Sequence, residues 1–100
     1  ILNNSTLGMV EQWQRLFYDR RYSGVKLDNM PDFVKLVEAY GAQGLRAQSI
    51  KEFEKTFKEA IVSEVTTVID CPVLPEEDVF PFVPPGRGLN EVLFDSEGQK

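Results

Sequence analysis

Two adjacent asparagines, Asn3 and Asn4, follow the apolar pair Ile1-Leu2 and lead into Ser5, Thr6, Leu7 and Gly8. Polar residues just past the carboxyl end of a parallel strand lie where open α/β sheets bind ligands. An asparagine carbonyl oxygen is a hard, neutral donor suited to Mg²⁺, which takes one or two protein carboxylates together with phosphate oxygens and water. A helix amino terminus beside it favours a diphosphate. The same residues also read as a turn with a helix cap from Asn4, Ser5 or Thr6. One turn apart on the helix that follows, Met9 and Trp13 are spaced either to floor a small apolar pocket near that strand end or to pack in a core.

Composition narrows the remaining chemistry. The 100 residues contain no His, which removes Ser-His-Asp and Cys-His catalysis and imidazole zinc sites together. The one cysteine, Cys71, has no partner for an internal disulfide and reads as a small buried hydrophobe at the end of a β-branched run. Glu76 and Glu77 have no context that would split two pKa values into acid and base roles, and Gly86-Arg87-Gly88 lacks the spacing of a phosphate cradle. With a net charge of -5 and scattered basic residues, neither nucleic acid nor a membrane surface is an expected partner. No apolar run approaches the roughly 18 residues that span a bilayer, and no signal peptide opens the chain, so an intracellular location is expected. The 42% hydrophobic and 27% charged content fits one globular domain. Ile1 is not a translation start, and the chain is expected to be a piece of a longer protein.

The elements that must position these residues follow from apolar spacing. Met9, Val10, Trp13, Leu16 and Phe17 recur at helical spacing after Gly8. Arg20 to Gly24 breaks that pattern, and a loop runs to Asn29. Pro31 is expected in the first turn of the next helix with Asp32 favourable to its dipole, Phe33, Val34, Val37 and Tyr40 on its apolar face, and Gly41 as its stop. Gly44 to Ala47 reads as a short strand. Ser49 and Glu52 have the spacing of a capping box, and Ile50, Phe53, Phe57, Ala60 and Ile61 repeat at helical spacing among mixed charges. Val65 to Ile69 is β-branched and reads as a strand buried on both faces. The alternation predicts an α/β fold over residues 1–71, a parallel sheet with helices on both faces. Beyond it Pro72, Pro75, Pro81, Pro84 and Pro85 forbid regular structure. Residues 72–100 are therefore expected as a Pro-rich extended tail with a short terminal helix from Gly88 to Phe94.

The run Asn3-Asn4-x-x-x-Gly8-Met9-Val10-x-Gln12-Trp13-Gln14-x-Leu16-Phe17-Tyr18-x-x-Arg21-Tyr22-Ser23 closely resembles the carboxyl-terminal region of the catalytic subunit of acetolactate synthases, also called acetohydroxyacid synthases. Met30 to Leu36, Glu38 to Gly41, Gly44-Leu45-Arg46 and Pro81-x-Val83-Pro84-Pro85-Gly86-x-Gly88-Leu89-x-Glu91 continue the resemblance in order. Two departures, Gly24 in place of a frequent His and Glu64-Val65-Thr66 in place of Gly-Pro-Val, bear on loop shape alone.

The resemblance implies a partial thiamine diphosphate-binding domain, whose motif opens upstream with Gly-Asp-Gly or Gly-Asp-Ala and closes with the Asn-Asn pair. It assigns Mg²⁺ ligation to the Asn4 side-chain oxygen and the Thr6 backbone carbonyl, and contact with the cofactor to Asn4, Thr6, Leu7, Gly8 and Met9. It sets Met9 and Trp13 near the thiazolium ring and the second substrate, where the Trp bears on preference for 2-ketobutyrate and on herbicide binding. The implied reaction decarboxylates pyruvate on thiamine diphosphate and joins the two-carbon unit to a second 2-keto acid, giving 2-acetolactate or 2-aceto-2-hydroxybutyrate for branched-chain amino acid biosynthesis. No catalytic acid or base is expected in this chain, because the Glu that activates the cofactor belongs to a partner subunit. FAD, a homo-oligomer of catalytic subunits, a regulatory subunit and a cytoplasmic location are implied, a plastid location requiring a transit peptide. The isolated chain is expected to be inactive. Two other readings are a non-catalytic interaction module of similar fold and another thiamine-dependent decarboxylase.

Overall fold

A computed structural model describes residues 1–95, and its framework is built on the most β-branched stretch of the sequence. In chain order the elements are β1 (Leu2–Asn3), α1 (Gly8–Phe17), α2 (Phe33–Ala39), β2 (Gln43–Arg46), α3 (Ile50–Ile61) and β3 (Thr67–Pro72). β3 starts later than the run from Val65 predicts and continues through Asp70 and the buried Cys71. It is the centre of a three-stranded sheet of order β1-β3-β2 in which both pairings are parallel. Leu2 lies opposite Cys71, and Gln43 to Arg46 lie opposite Thr67 to Asp70.

Both α2 and α3 pack against β2 and β3 without touching each other, which sets them on opposite faces of the sheet. The alternating side chains of β2 agree with this. Gln43 bonds Glu59 of α3, whereas Gly44 lies against Val34 of α2 and Arg46 reaches Asp32 at the start of α2. The α/β architecture expected from the sequence is the one observed.

Local signals set the helix ends. α2 begins with Asp32, whose carboxylate accepts from the Val34 and Lys35 amides at 3.0 and 3.3 Å. Pro31 therefore stands outside the first turn it was expected to occupy, because Asp32 satisfies two orphan N–H groups. Gly41, at φ +76°, follows the helix in the left-handed region. Ser49 caps α3 by accepting from the Glu52 amide at 3.2 Å. The Glu52 carboxylate bonds the Gln48 amide at 2.7 Å, so the reciprocal half of the capping box is displaced by one residue.

The chain divides into two compact units. Ile1–Ser5 and Leu27–Leu74 hold the sheet with α2 and α3, and Thr6–Lys26 with residues 75–95 hold α1. In the second unit α1 buries two polar residues while three of its apolar residues are exposed. Met9, Val10 and Trp13 are 47%, 49% and 38% exposed, whereas Glu11 and Gln12 are 1% and 2% exposed. The cause is polar pairing. The Gln12 amide donates to the Val79 carbonyl at 3.1 Å and accepts from the Val79 N–H at 2.9 Å, in the manner of a neighbouring strand. Arg15 pairs with Asp78, and Phe17 meets the Phe82 ring edge-on at 6.3 Å.

The expected terminal helix from Gly88 to Phe94 does not form. Phe82 and Leu93 exchange backbone hydrogen bonds of 3.0 and 2.9 Å in an antiparallel bridge, which takes Leu93 out of any helical register. Before it, the Glu91 carboxylate accepts from the Gly88 amide and from Arg87, closing a single turn that is too short to propagate as a helix. The rest of the expected tail, residues 96–100, lies outside the described residues. Among the described residues no helix is long and apolar enough to cross a membrane.

Candidate functional site

β1 ends at Asn3, so Asn4 is the first residue past the carboxyl end of a parallel strand. Asn3 donates from Nδ2 to Asp70 at 3.2 Å, and its Oδ1 accepts from the Ser5 amide at 3.0 Å and the Ser5 hydroxyl at 3.2 Å. Asn3 thereby makes the turn, with Ser5 at φ +53°, a left-handed conformation uncommon outside glycine. Asn4 is half-buried after it. The alternative reading of these residues as a helix cap is not realised, because α1 is preceded by Leu7 with no side-chain cap. Asp70 is itself buried and also accepts from Arg46 at 3.2 Å, which continues to Asp32 at 3.0 Å. A chain of charge-assisted bonds therefore ties the end of β1 through β3 and β2 to the cap of α2.

Thr6, Leu7, Gly8, Met9 and Trp13 fall in the second unit. Thr6 is buried and pairs with Lys26 in an antiparallel bridge. Its hydroxyl bonds the Glu11 carboxylate and lies 2.9 Å from the Val25 carbonyl, and the Lys26 ammonium bonds the other Glu11 oxygen. Burial pushes the Glu11 carboxyl up, but the bonds from Lys26 and Thr6 and the charge of Arg15 outweigh it, leaving it below the ordinary carboxylate value. The bond to Glu11 pushes Lys26 up. Leu7 and Met9 are exposed at the start of α1, and Gly8 is half-buried between them.

Trp13 lines an open groove of about 440 Å³ with Val10, Gln14, Tyr18 and Arg21, and its ring meets Phe17 edge-on at 6.3 Å. Met9 lies one turn before Trp13 on α1 and does not line this groove. Among the described residues, no cluster of three His, Cys, Asp or Glu is placed to hold a metal. The donors carried by the opening segment are neutral oxygens, the Asn4 amide and the Thr6 carbonyl, a set that suits a hard cation sharing phosphate oxygens.

Residues 1–71 match the family described as thiamine pyrophosphate enzyme, C-terminal TPP binding domain. The chain belongs to the thiamine pyrophosphate enzymes. Within these enzymes it is 45% identical over 93 residues to the probable acetolactate synthase large subunit of Methanocaldococcus jannaschii, covering 93% of this chain and 16% of that protein. It is 42% identical over 101 aligned residues to the mitochondrial acetolactate synthase catalytic subunit of Saccharomyces cerevisiae, covering 100% of this chain and 15% of that protein. The mitochondrial acetolactate synthase of Schizosaccharomyces pombe is 41% identical over 93% of this chain and 14% of its own length. The chain thus spans about one sixth of the relatives it matches.

The buried Glu11, Gln12 and Asp70 escape a reading by periodicity. Glu11 and Gln12 sit between apolar neighbours on α1 and look solvated until Lys26 and Val79 are known to face them. One signal is present in the sequence: Asp70 follows the apolar pair Val68-Ile69 and precedes Cys71, and a carboxylate buried there is tolerated only where partners satisfy its charge.

Proposed function

We propose that this chain is the closing part of the thiamine diphosphate-binding domain of a biosynthetic acetolactate synthase catalytic subunit. Residues 1–71 then belong to that domain, and residues 72–100 are the Pro-rich segment that follows it. One observation carries the reading. The general family match ends at residue 71, whereas the acetolactate synthase relatives match 93% to 100% of the chain and so run on into the Pro-rich segment.

In this reading the Asn4 side-chain oxygen and the Thr6 carbonyl hold Mg²⁺, with a carboxylate from elsewhere in the subunit and the cofactor diphosphate supplying the negative charge. Leu7, Gly8 and Met9 border the cofactor, and Met9 and Trp13 border the acceptor keto acid. Thiamine diphosphate supplies the electron sink for loss of CO₂ from pyruvate. The chain's own residues bind and orient: the turn made by Asn3 sets the position of Asn4, and the indole of Trp13 offers apolar surface to an ethyl ketone. FAD bound elsewhere, association of catalytic subunits, a regulatory subunit and inactivity of the isolated chain belong to the same reading, with the Gly8-Met9-Val10-x-Gln12-Trp13 run favouring the biosynthetic branch.

The full-length subunit, supplied with thiamine diphosphate, Mg²⁺ and FAD, should convert pyruvate to 2-acetolactate and a mixture with 2-ketobutyrate to 2-aceto-2-hydroxybutyrate. Release of acetaldehyde as the sole product would replace the reading with another decarboxylase. A folded subunit that consumes no keto acid would favour an interaction module.

A further inference from the structure

We infer that Glu11 is a positioning residue, fixing Thr6 and with it the direction of the Thr6 carbonyl. This assignment rests on Thr6 acting as a Mg²⁺ ligand. Glu11 is 1% exposed on a helix that exposes Met9, Val10 and Trp13, a placement that costs free energy unless the carboxylate is fully paired. Each of its oxygens has one partner, the Lys26 ammonium on Oε1 and the Thr6 hydroxyl on Oε2. Lys26 is held in turn, with Nζ 5.5 Å from the centre of the Tyr22 ring.

The backbone states what this arrangement is for. The Leu7 amide donates to the Val25 carbonyl at 2.9 Å and the Leu27 amide to the Ser5 carbonyl at 3.0 Å, one on each side of the Thr6 and Lys26 bridge. That pattern places Thr6 at a non-hydrogen-bonded position, so its carbonyl is directed away from the paired segment. The ladder holds the neighbours of Thr6, and the side-chain hydroxyl holds Thr6 itself. Between the Glu11 carboxylate and the Val25 carbonyl, both within reach of that hydroxyl, the carboxylate makes the stronger, charge-assisted bond. Glu11 therefore acts on a ligand it does not share, in the way that outer partners orient metal ligands.

The test is a titration of thiamine diphosphate into the cofactor-free full-length subunit, followed by calorimetry at a series of Mg²⁺ concentrations. Thr6→Val removes the hydroxyl at nearly constant shape, and the paired variant Glu11→Leu/Lys26→Met removes the acceptor together with its balancing charge. Each should raise the Mg²⁺ concentration for half-maximal cofactor binding by roughly tenfold. Combining them should add nothing beyond Thr6→Val, since both break one bond. Thr6→Ser should restore the original midpoint. If the paired variant fails to fold by circular dichroism, Thr6→Val and its rescue by serine carry the test. Unmoved midpoints, or effects that add in full, overturn the role of Glu11. Asn4→Ala in the same titration separates the two levels: a raised Mg²⁺ requirement there with none in the Glu11 variant sinks the positioning role alone, and no change in either sinks the metal reading.

Discussion

In the proposed reading, Trp13 borders the acceptor keto acid and bears on the preference between acceptors. It is 38% exposed on a helix that buries Glu11 and Gln12, so it offers apolar surface where a core residue would offer none. A pocket that accommodates one additional methylene gains about 1 to 3 kcal/mol for the larger ligand. Trp13→Leu in the full-length subunit should therefore lower the ratio of 2-aceto-2-hydroxybutyrate to 2-acetolactate roughly tenfold, measured in direct competition between the two acceptors. An unchanged ratio would remove Trp13 from the acceptor site. Asp32 makes a separate prediction about acid. The Lys35 amide, opposed by partial burial and aided by Arg46 and the Val34 amide, holds its carboxyl below the ordinary value. A lowered folded-state pKa stabilises the fold above the unfolded value of about 3.9, and that stability is lost as pH falls through the folded value. Asp32→Asn should consequently flatten the fall in melting temperature of the full-length subunit below about pH 4. An identical acid profile would show that the cap's charge does not matter.

Among the elements, those with strong local chemistry are legible in the sequence. Ser49 and Glu52 announced α3, Gly41 announced the end of α2, and the β-branched run announced β3. α1 was legible as a helix, but its orientation was not, because Gln12 and Arg15 are held by Val79 and Asp78 from distant sequence. The helix expected from Gly88 lost to a backbone bridge between Phe82 and Leu93 for the same reason. Packing between elements is sharpest at Gly44 of β2. A Cβ there would come within 2.6 Å of the Val34 carbonyl oxygen and 2.9 Å of Val34 Cα, both backbone atoms of α2. Gly44→Ala should force α2 and β2 apart and destabilise the sheet unit by about 1 to 3 kcal/mol, read as a lower melting temperature of the full-length subunit. A melting temperature equal to that of the parent would mean that α2 yields without cost.

At the scale of the whole chain, the buried hydrophobic residues among those described are Val25, Ala47 and Cys71, while α3 exposes Ile50, Phe57 and Ile61 and α1 exposes Met9, Val10 and Trp13, in a chain that spans about one sixth of the relatives it matches. The α/β class was readable because strand and helix alternation depends on local spacing, whereas the candidate site rests on the position of Asn3 and Asn4 past a strand end and on the resemblance of the opening motif. Asn3 and Asn4 look alike in sequence, and the structure shows Asn3 donating to Asp70 and accepting from the Ser5 amide, the bonds that build the turn ahead of Asn4. The central claim concerns that junction. A crystal structure of the full-length subunit with thiamine diphosphate and Mg²⁺ tests it most directly: the cation should lie about 2.1 Å from both the Asn4 side-chain oxygen and the Thr6 carbonyl oxygen. A cation bound to the diphosphate with neither oxygen in its coordination sphere would contradict the account.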